Sequence, residues 1–401
     1  MRSRSMFGAL ALVCALASCV GPSLEQRRQS AMPAIQTLQA GAWEEAEQEA
    51  ARALSADKEN PYALIVDAIT RYKKVMHQLF MDMVGVAAAV AETHTFNQQY
   101  VRYAFEHAEA ELATVDGDLG IAARYPDLGF DLCLACWEHD WNHNGRVDER
   151  DRRLFEVEVD QNGDPYPAGD PRRRPNFRFD QGDVLWARAF ISFQRAAINI
   201  GLAYDWAGIE PALRNDDPER IVLKLTAKER LTQARQLILG GLDLAEQSRQ
   251  TYLKETDDER EWLPNPRQKN HPLPLPVDDK LYQTWGEVIG DVRQLIKGEQ
   301  ALRANDVAEL MDEKIDPPPL GYLDVGAIFS RPRDISFDVV ALERCERNDD
   351  IECFLNALLG DWYVKQAQAS QLPLRVRRMK SEVDRGEESL ERKLRYLLWL
   401  N

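Results

Sequence analysis

The chain has 401 residues, with 50 Lys+Arg against 66 Asp+Glu, a formal charge of −16 and 44% hydrophobic residues. That balance supports a sizeable core and excludes a disordered chain. The acidic surplus argues against a nucleic-acid partner, which needs a clustered positive face.

Arg2 and Arg4 open the chain, and residues 6–15 form an apolar run too short to span a membrane, the pattern of an export signal. The run ends in Leu16-Ala17-Ser18-Cys19, which resembles the lipobox of bacterial lipoproteins. The resemblance implies cleavage after a signal of residues 1–18, with a diacylglyceryl group on the Cys19 thiol and an acylated amine. Several acyl chains hold a membrane far more firmly than one, since each buried methylene adds ~0.8 kcal/mol. Val20 and Gly21 follow, without the Asp that marks inner-membrane retention in enteric bacteria. The expectation is therefore a protein of the bacterial cell envelope, anchored through Cys19 on the outer membrane and facing the periplasm.

From residue 30 onward, apolar residues recur at three- and four-residue spacing, which predicts helices over 43–55, 61–91, 97–114, 183–205, 227–254, 278–304, 350–368 and 373–399. Gly41-Ala42-Trp43-Glu44-Glu45-Ala46, followed by Ala50, Ala53, Leu54 and Asn60-Pro61, resembles the turn and second helix of a tetratricopeptide unit. No second copy follows at the ~34-residue offset, and an ordinary helical hairpin fits these residues equally well. Alternation suited to a strand is scarce, with residues 155–159 the best case. Five prolines within 264–276 and the run Pro317-Pro318-Pro319 mark connections, because proline lacks an amide donor and restricts its predecessor. The fold class expected is mostly α, an irregular helical bundle or helical-hairpin array. It divides into an N-terminal helical region (19–115), a loop-rich insert (116–182) and a C-terminal helical region with Pro-rich connections (183–401).

The insert holds the most informative stretch, residues 140–151, which resembles the calcium loop of EF-hand and dockerin-type proteins. The resemblance implies side-chain oxygen ligands from Asp140, Asn142 and Asn144, the carbonyl of Arg146, and the carboxylates of Asp148 and Asp151. Gly145 stands where such a loop turns sharply, and Val147 where it tethers to the core. Asp151 replaces the usual bidentate Glu, as in dockerin-type loops. All-oxygen ligands favour Ca²⁺ over zinc or copper, with Mg²⁺ the alternative ion. Asp160-Gln161-Asn162-Gly163-Asp164 shares the Asp/Asn flavour but has Pro165 where a loop needs glycine, and reads as a turn. Asp180 and Asp183 stand before a strong helix and read as caps. The Arg172-Arg173-Arg174 run reads as solvated counter-charge.

With Cys14 removed and Cys19 acylated, Cys133, Cys136, Cys345 and Cys353 remain, enough for two disulfides in an oxidising envelope. Cys345 and Cys353 flank a turn-like stretch, so a bridge there would staple a helical hairpin. Zinc would accept Cys133, Cys136, His139 and His143, but the Cys136–His139 spacing is much tighter than in zinc fingers. There is no nucleophile elbow, His-Glu-x-x-His or phosphate-cradling glycine loop. The function expected is a non-catalytic interaction or scaffold component, docking an envelope protein and carrying a structural Ca²⁺. The alternative is an envelope glycan or peptidoglycan hydrolase using carboxylates such as Asp180 and Asp183 in a cleft.

Overall fold

The computed structural model describes residues 21–137, 146–149, 151, 156–160, 162–214, 220–273, 277–306, 320–347 and 351–383. The fold is mostly α. Four helices come first: α1 (Leu24–Gln39), α2 (Trp43–Ala56), α3 (Pro61–Thr93) and α4 (Gln98–Ala122). Each begins where a side chain supplies the amides' missing acceptor or the backbone turns. Ser23 and Gln26 form a capping box on α1, Asn60 caps α3 with Pro61 at its first position, and Asn97 caps α4. Gly41 takes a positive φ of 74° in the turn that folds α2 back on α1. This hairpin is the segment with the tetratricopeptide resemblance, and Pro33 stands inside its first helix.

After a two-stranded antiparallel ribbon, β1 (Gly129–Leu132) with β2 (Phe177–Asp180), three long helices carry the second half. These are α5 (Gln181–Leu202), α6 (Lys228–Lys254) and α7 (Asp279–Lys297). α3 packs on α4, α4 on α5, α5 on α6 and α6 on α7, and a terminal helix, α8 (Leu372–Val383), lies against α7. Two further small antiparallel sheets use strands of two to six residues, among them Arg220–Leu225 and Ile335–Asp338. The largest apolar cluster gathers Leu38, Tyr62, Leu112, Leu132, Phe177 and Trp262.

Between α4, α5 and α6 the core is polar. Glu109, nearly sealed from solvent, accepts hydrogen bonds from Arg195 (3.2 Å), Asn199 (3.0 Å) and Gln233 (3.1 Å). Arg188 and Arg195 also pair with Asp116 on α4. Such a network fixes how three helices register, because a buried charge left without partners costs several kcal/mol (~3–5).

Several predicted spans differ from the observed ones. The helix expected over 97–114 continues to Ala122, since Val115, Leu119 and Ala122 keep their inward spacing despite Gly117 and Gly120. The span expected over 278–304 stops at Lys297, where Gly298 takes a left-handed turn, and that expected over 350–368 is α-helical over Ile351–Leu359 and ends in a 3-10 turn at Gly360–Trp362. Within 155–159, Val159 makes one isolated bridge to Pro165. The arginine run is not simply solvated: Arg173 is buried and pairs with Glu156 at 2.9 Å, and Arg174 pairs with the same carboxylate at 3.0 Å.

Candidate metal centre

β2 ends at Asp180, which is also the residue before α5. Its Oδ1 accepts the amides of Gly182 (2.6 Å) and Asp183 (3.4 Å), while Asp183 Oδ2 accepts the amide of Asp180 (2.9 Å). This reciprocal cap places two carboxylates at the positive end of the helix dipole. Asp183 then points inward, where its Oδ1 accepts the Tyr252 hydroxyl of α6 at 2.8 Å. A side chain on Gly182 would bring its Cβ within 2.6 Å of the Tyr252 ring, so glycine permits this close approach of α5 to α6. Ser248 Oγ donates to the Gly182 carbonyl at 2.8 Å and fastens the same contact.

α6 ends next to Glu255, and the chain folds back over the ribbon. The Arg178 amide donates to the Arg260 carbonyl, and Asn265 Nδ2 donates to the carbonyls of Tyr252 and Glu255. The fold-back brings Glu255 and Glu261 to Asp180. One carboxylate oxygen from each of Asp180, Glu255 and Glu261 lies within 4.8 Å of the other two. The three come from a helix start, a helix end and a loop, so no local motif announces them.

Charge makes the cluster costly without a counter-ion. Burial raises the Glu255 carboxyl far above its ordinary range, and the carboxylates of Asp180 and Asp183 push it further. Burial likewise raises Glu261 to about 7, and raises Asp180 and Asp183. Both Glu255 oxygens are enclosed without an N–H or hydroxyl donor, and its carboxyl faces that of Asp180. Two facing carboxylates hold together by sharing a proton or a cation. Three acidic groups, Asp180, Glu255 and Glu261, present the all-oxygen chemistry that Ca²⁺ or Mg²⁺ accepts, with Asp183 behind them holding Tyr252. Arg178 acts on Glu261 from nearby, but its ion pair is with Glu259 at 3.8 Å.

The sequence-predicted loop is only partly within view. Cys19, Asp140, Asn142 and Asn144 lie outside the described residues. Arg146 is exposed and sits 3.9 Å from Asp148, while Asp151 is buried and its Oδ2 accepts the Asp148 amide at 2.9 Å. Asp160 forms the expected turn, accepting the amides of Asn162 and Asp164. Cys133–Cys136 and Cys345–Cys353 are disulfides, with Cα separations of 5.3 and 5.4 Å. Their sulfurs are bonded to one another, so neither pair offers thiolates to zinc. No family model, curated protein or solved structure matches the chain.

Proposed function

We propose that this chain is a lipid-anchored, non-catalytic component of the bacterial cell envelope that docks an envelope protein and whose fold is fastened by a bound divalent cation. The observation that carries the cation is the convergence of Asp180, Glu255 and Glu261, with both Glu255 oxygens enclosed and lacking a donor. Ca²⁺ suits the set better than Mg²⁺, because carboxylates from three separate segments form an irregular cage rather than a compact octahedron. The ion's role here is to neutralise the cluster and tie the end of α6 and the loop after it to the start of α5. The 140–151 loop supplies a second cation position, through Asp140, Asn142, Asn144, the Arg146 carbonyl, Asp148 and Asp151.

Anchoring rests on the lipobox at Cys19. Hydrolysis by the Asp180 and Asp183 pair is disfavoured, because Asp183 is sealed under Tyr252 and the apolar cavity touching it holds only about 60 Å³. Pockets that bind small molecules run to ~300 Å³ and more. Mass spectrometry of the chain extracted from envelopes tests the anchor, with an acylated Cys19 at its N-terminus as the expected result. In-cell crosslinking tests the docking role and is expected to capture one discrete envelope protein. Lysis of cell-wall sacculi by the purified protein, lost on Glu255→Gln, would replace this reading with that of a hydrolase.

A further inference from the structure

The second half of α3 is an apolar helix that the fold covers on one side only, along the half-buried stripe of Leu79, Met83, Val86 and Val90. Its first half is core, with Tyr62, Leu64, Val66 and Tyr72 buried, but the membrane-length apolar window in this helix is only 6% buried. Of the eight large hydrophobic side chains exposed among the described residues, five stand on this half of α3 and the start of α4: Phe80 (60% exposed), Met81, Val84, Tyr100 and Tyr103 (69%). The 27 positions of 75–101 contain two charged residues, Asp82 and Glu92, in a chain that is 29% charged. Asp82 Oδ1 accepts the Tyr100 hydroxyl and the Gln78 side-chain amide, which ties the two helices together at this face.

What covers such a surface follows from how its apolar residues are distributed. A helix that docks on a soluble partner keeps a polar flank for water, whereas residues 83–91 carry no polar side chain on any face. A helix apolar all round is at home in a protein interior or in lipid, and this one is not in the interior. Aromatic residues with polar tips, here Tyr100 and Tyr103, suit the boundary between headgroups and acyl chains. The start of α4 cannot follow into the hydrocarbon, because Arg102 donates to the carbonyls of Leu202 and Tyr204 and holds α4 to the body.

We propose that the outer face of α3 from Phe80 to Val84, with Tyr100 and Tyr103 of α4, lies in the headgroup–acyl boundary of a phospholipid bilayer, as a second membrane contact beside the anchor. The proposal deepens the envelope reading, because the anchor would present this face to a bilayer. Asn60, at the start of α3, donates to Arg27 and Ser30 of α1, so the amino terminus sits at the opposite end of α3 from this face. At 1.5 Å per residue the two ends are roughly 30 Å apart, and Cys19 precedes Ser23 by four positions in the sequence. Two contacts so spaced lay α3 along the membrane rather than across it.

The test uses the mature chain with Cys19→Ser, which cannot be acylated, floated with vesicles of phosphatidylcholine and of phosphatidylethanolamine–phosphatidylglycerol. The protein is expected to float with both. Joint Phe80→Ser, Met81→Ser and Val84→Ser substitution is expected to cut the bound fraction at least about tenfold, with an unchanged far-ultraviolet spectrum. Should that variant misfold, Tyr103→Ser alone is expected to weaken flotation measurably. Failure of the Cys19→Ser chain to float overturns the proposal, and so does a stable dimer that the triple variant dissociates, which would assign the face to a second copy. Neither outcome bears on acylation of the wild-type chain, which its mass reports separately.

Discussion

The Tyr252 hydroxyl donates to Asp183 Oδ1 at 2.8 Å, joining α6 to the first turn of α5 in a contact from which water is excluded. Burial and the neighbouring Asp183 both raise the Tyr252 hydroxyl, which therefore stays protonated and able to donate. Tyr252→Phe removes the donor and leaves Asp183 with an unmet lone pair. The expected loss is ~1–3 kcal/mol of stability, read from the midpoint of a urea titration.

Gly182→Ala tests the same contact from the other side. Its Cβ would meet the Tyr252 ring at 2.6 Å, far inside van der Waals contact, so the helices must part or the ring must turn. Overpacking of this kind costs ~1–3 kcal/mol. Thermal unfolding should register it, and pairing it with Tyr252→Leu should return part of the loss.

Asp118 lies beside Asp67, with burial as the main cause and Asp67 as the second raising its carboxyl to about 6. A carboxyl raised on folding costs stability above its folded pKa, and the cost fades as pH falls from about 6 toward the unfolded value near 3.8. Asp118→Asn removes the charge and offers Asp67 an N–H donor. The variant is expected to be stabilised at pH 7.5 and to lose most of that advantage by pH 4.5. Paired melting curves at the two pH values check it.

The polar centre of the bundle is expected to be its most sensitive point. Glu109→Ala takes one acceptor from Arg195, Asn199 and Gln233 together and should cost about 3 kcal/mol, while Arg195 keeps Asp116 at 3.6 Å and Asn199 keeps the Arg195 carbonyl at 2.9 Å. Hydrogen exchange across α4, α5 and α6 should accelerate together in this variant.

Helices were legible wherever apolar residues kept their spacing, as in 61–91 and 227–254, and the caps at Asp180 and Asp183 were readable from their place before such a run. Helix ends were not. Asp116-Gly117-Asp118 looks like a loop, yet Arg188 and Arg195 satisfy Asp116 from another helix, and the turn continues. Four cysteines beyond Cys19 were enough for two disulfides, and Cys133–Cys136 and Cys345–Cys353 are paired. The acid cluster was half legible. Asp180 and Asp183 were singled out, but Glu255 and Glu261 lie 72 or more residues further on and join them only because the chain after α6 folds back onto β2. The one sequence signal was a run of acidic residues, Glu255, Asp257, Asp258, Glu259 and Glu261, which by composition resembles any solvated loop.

Calorimetric titration of Ca²⁺ into the purified, chelator-treated protein tests the central claim, run in parallel on wild type, Glu255→Gln and Asp148→Asn. Glu255→Gln removes a ligand of the acid cluster and Asp148→Asn one of the loop, so the two positions separate. At a hundredfold excess over Kd the ion should add about 2.7 kcal/mol of stability per site. The wild-type binding isotherm is expected to lose one component in Glu255→Gln and to keep that component in Asp148→Asn. Identical isotherms in wild type and Glu255→Gln, or no heat in either at millimolar Ca²⁺ and Mg²⁺, would contradict the claim.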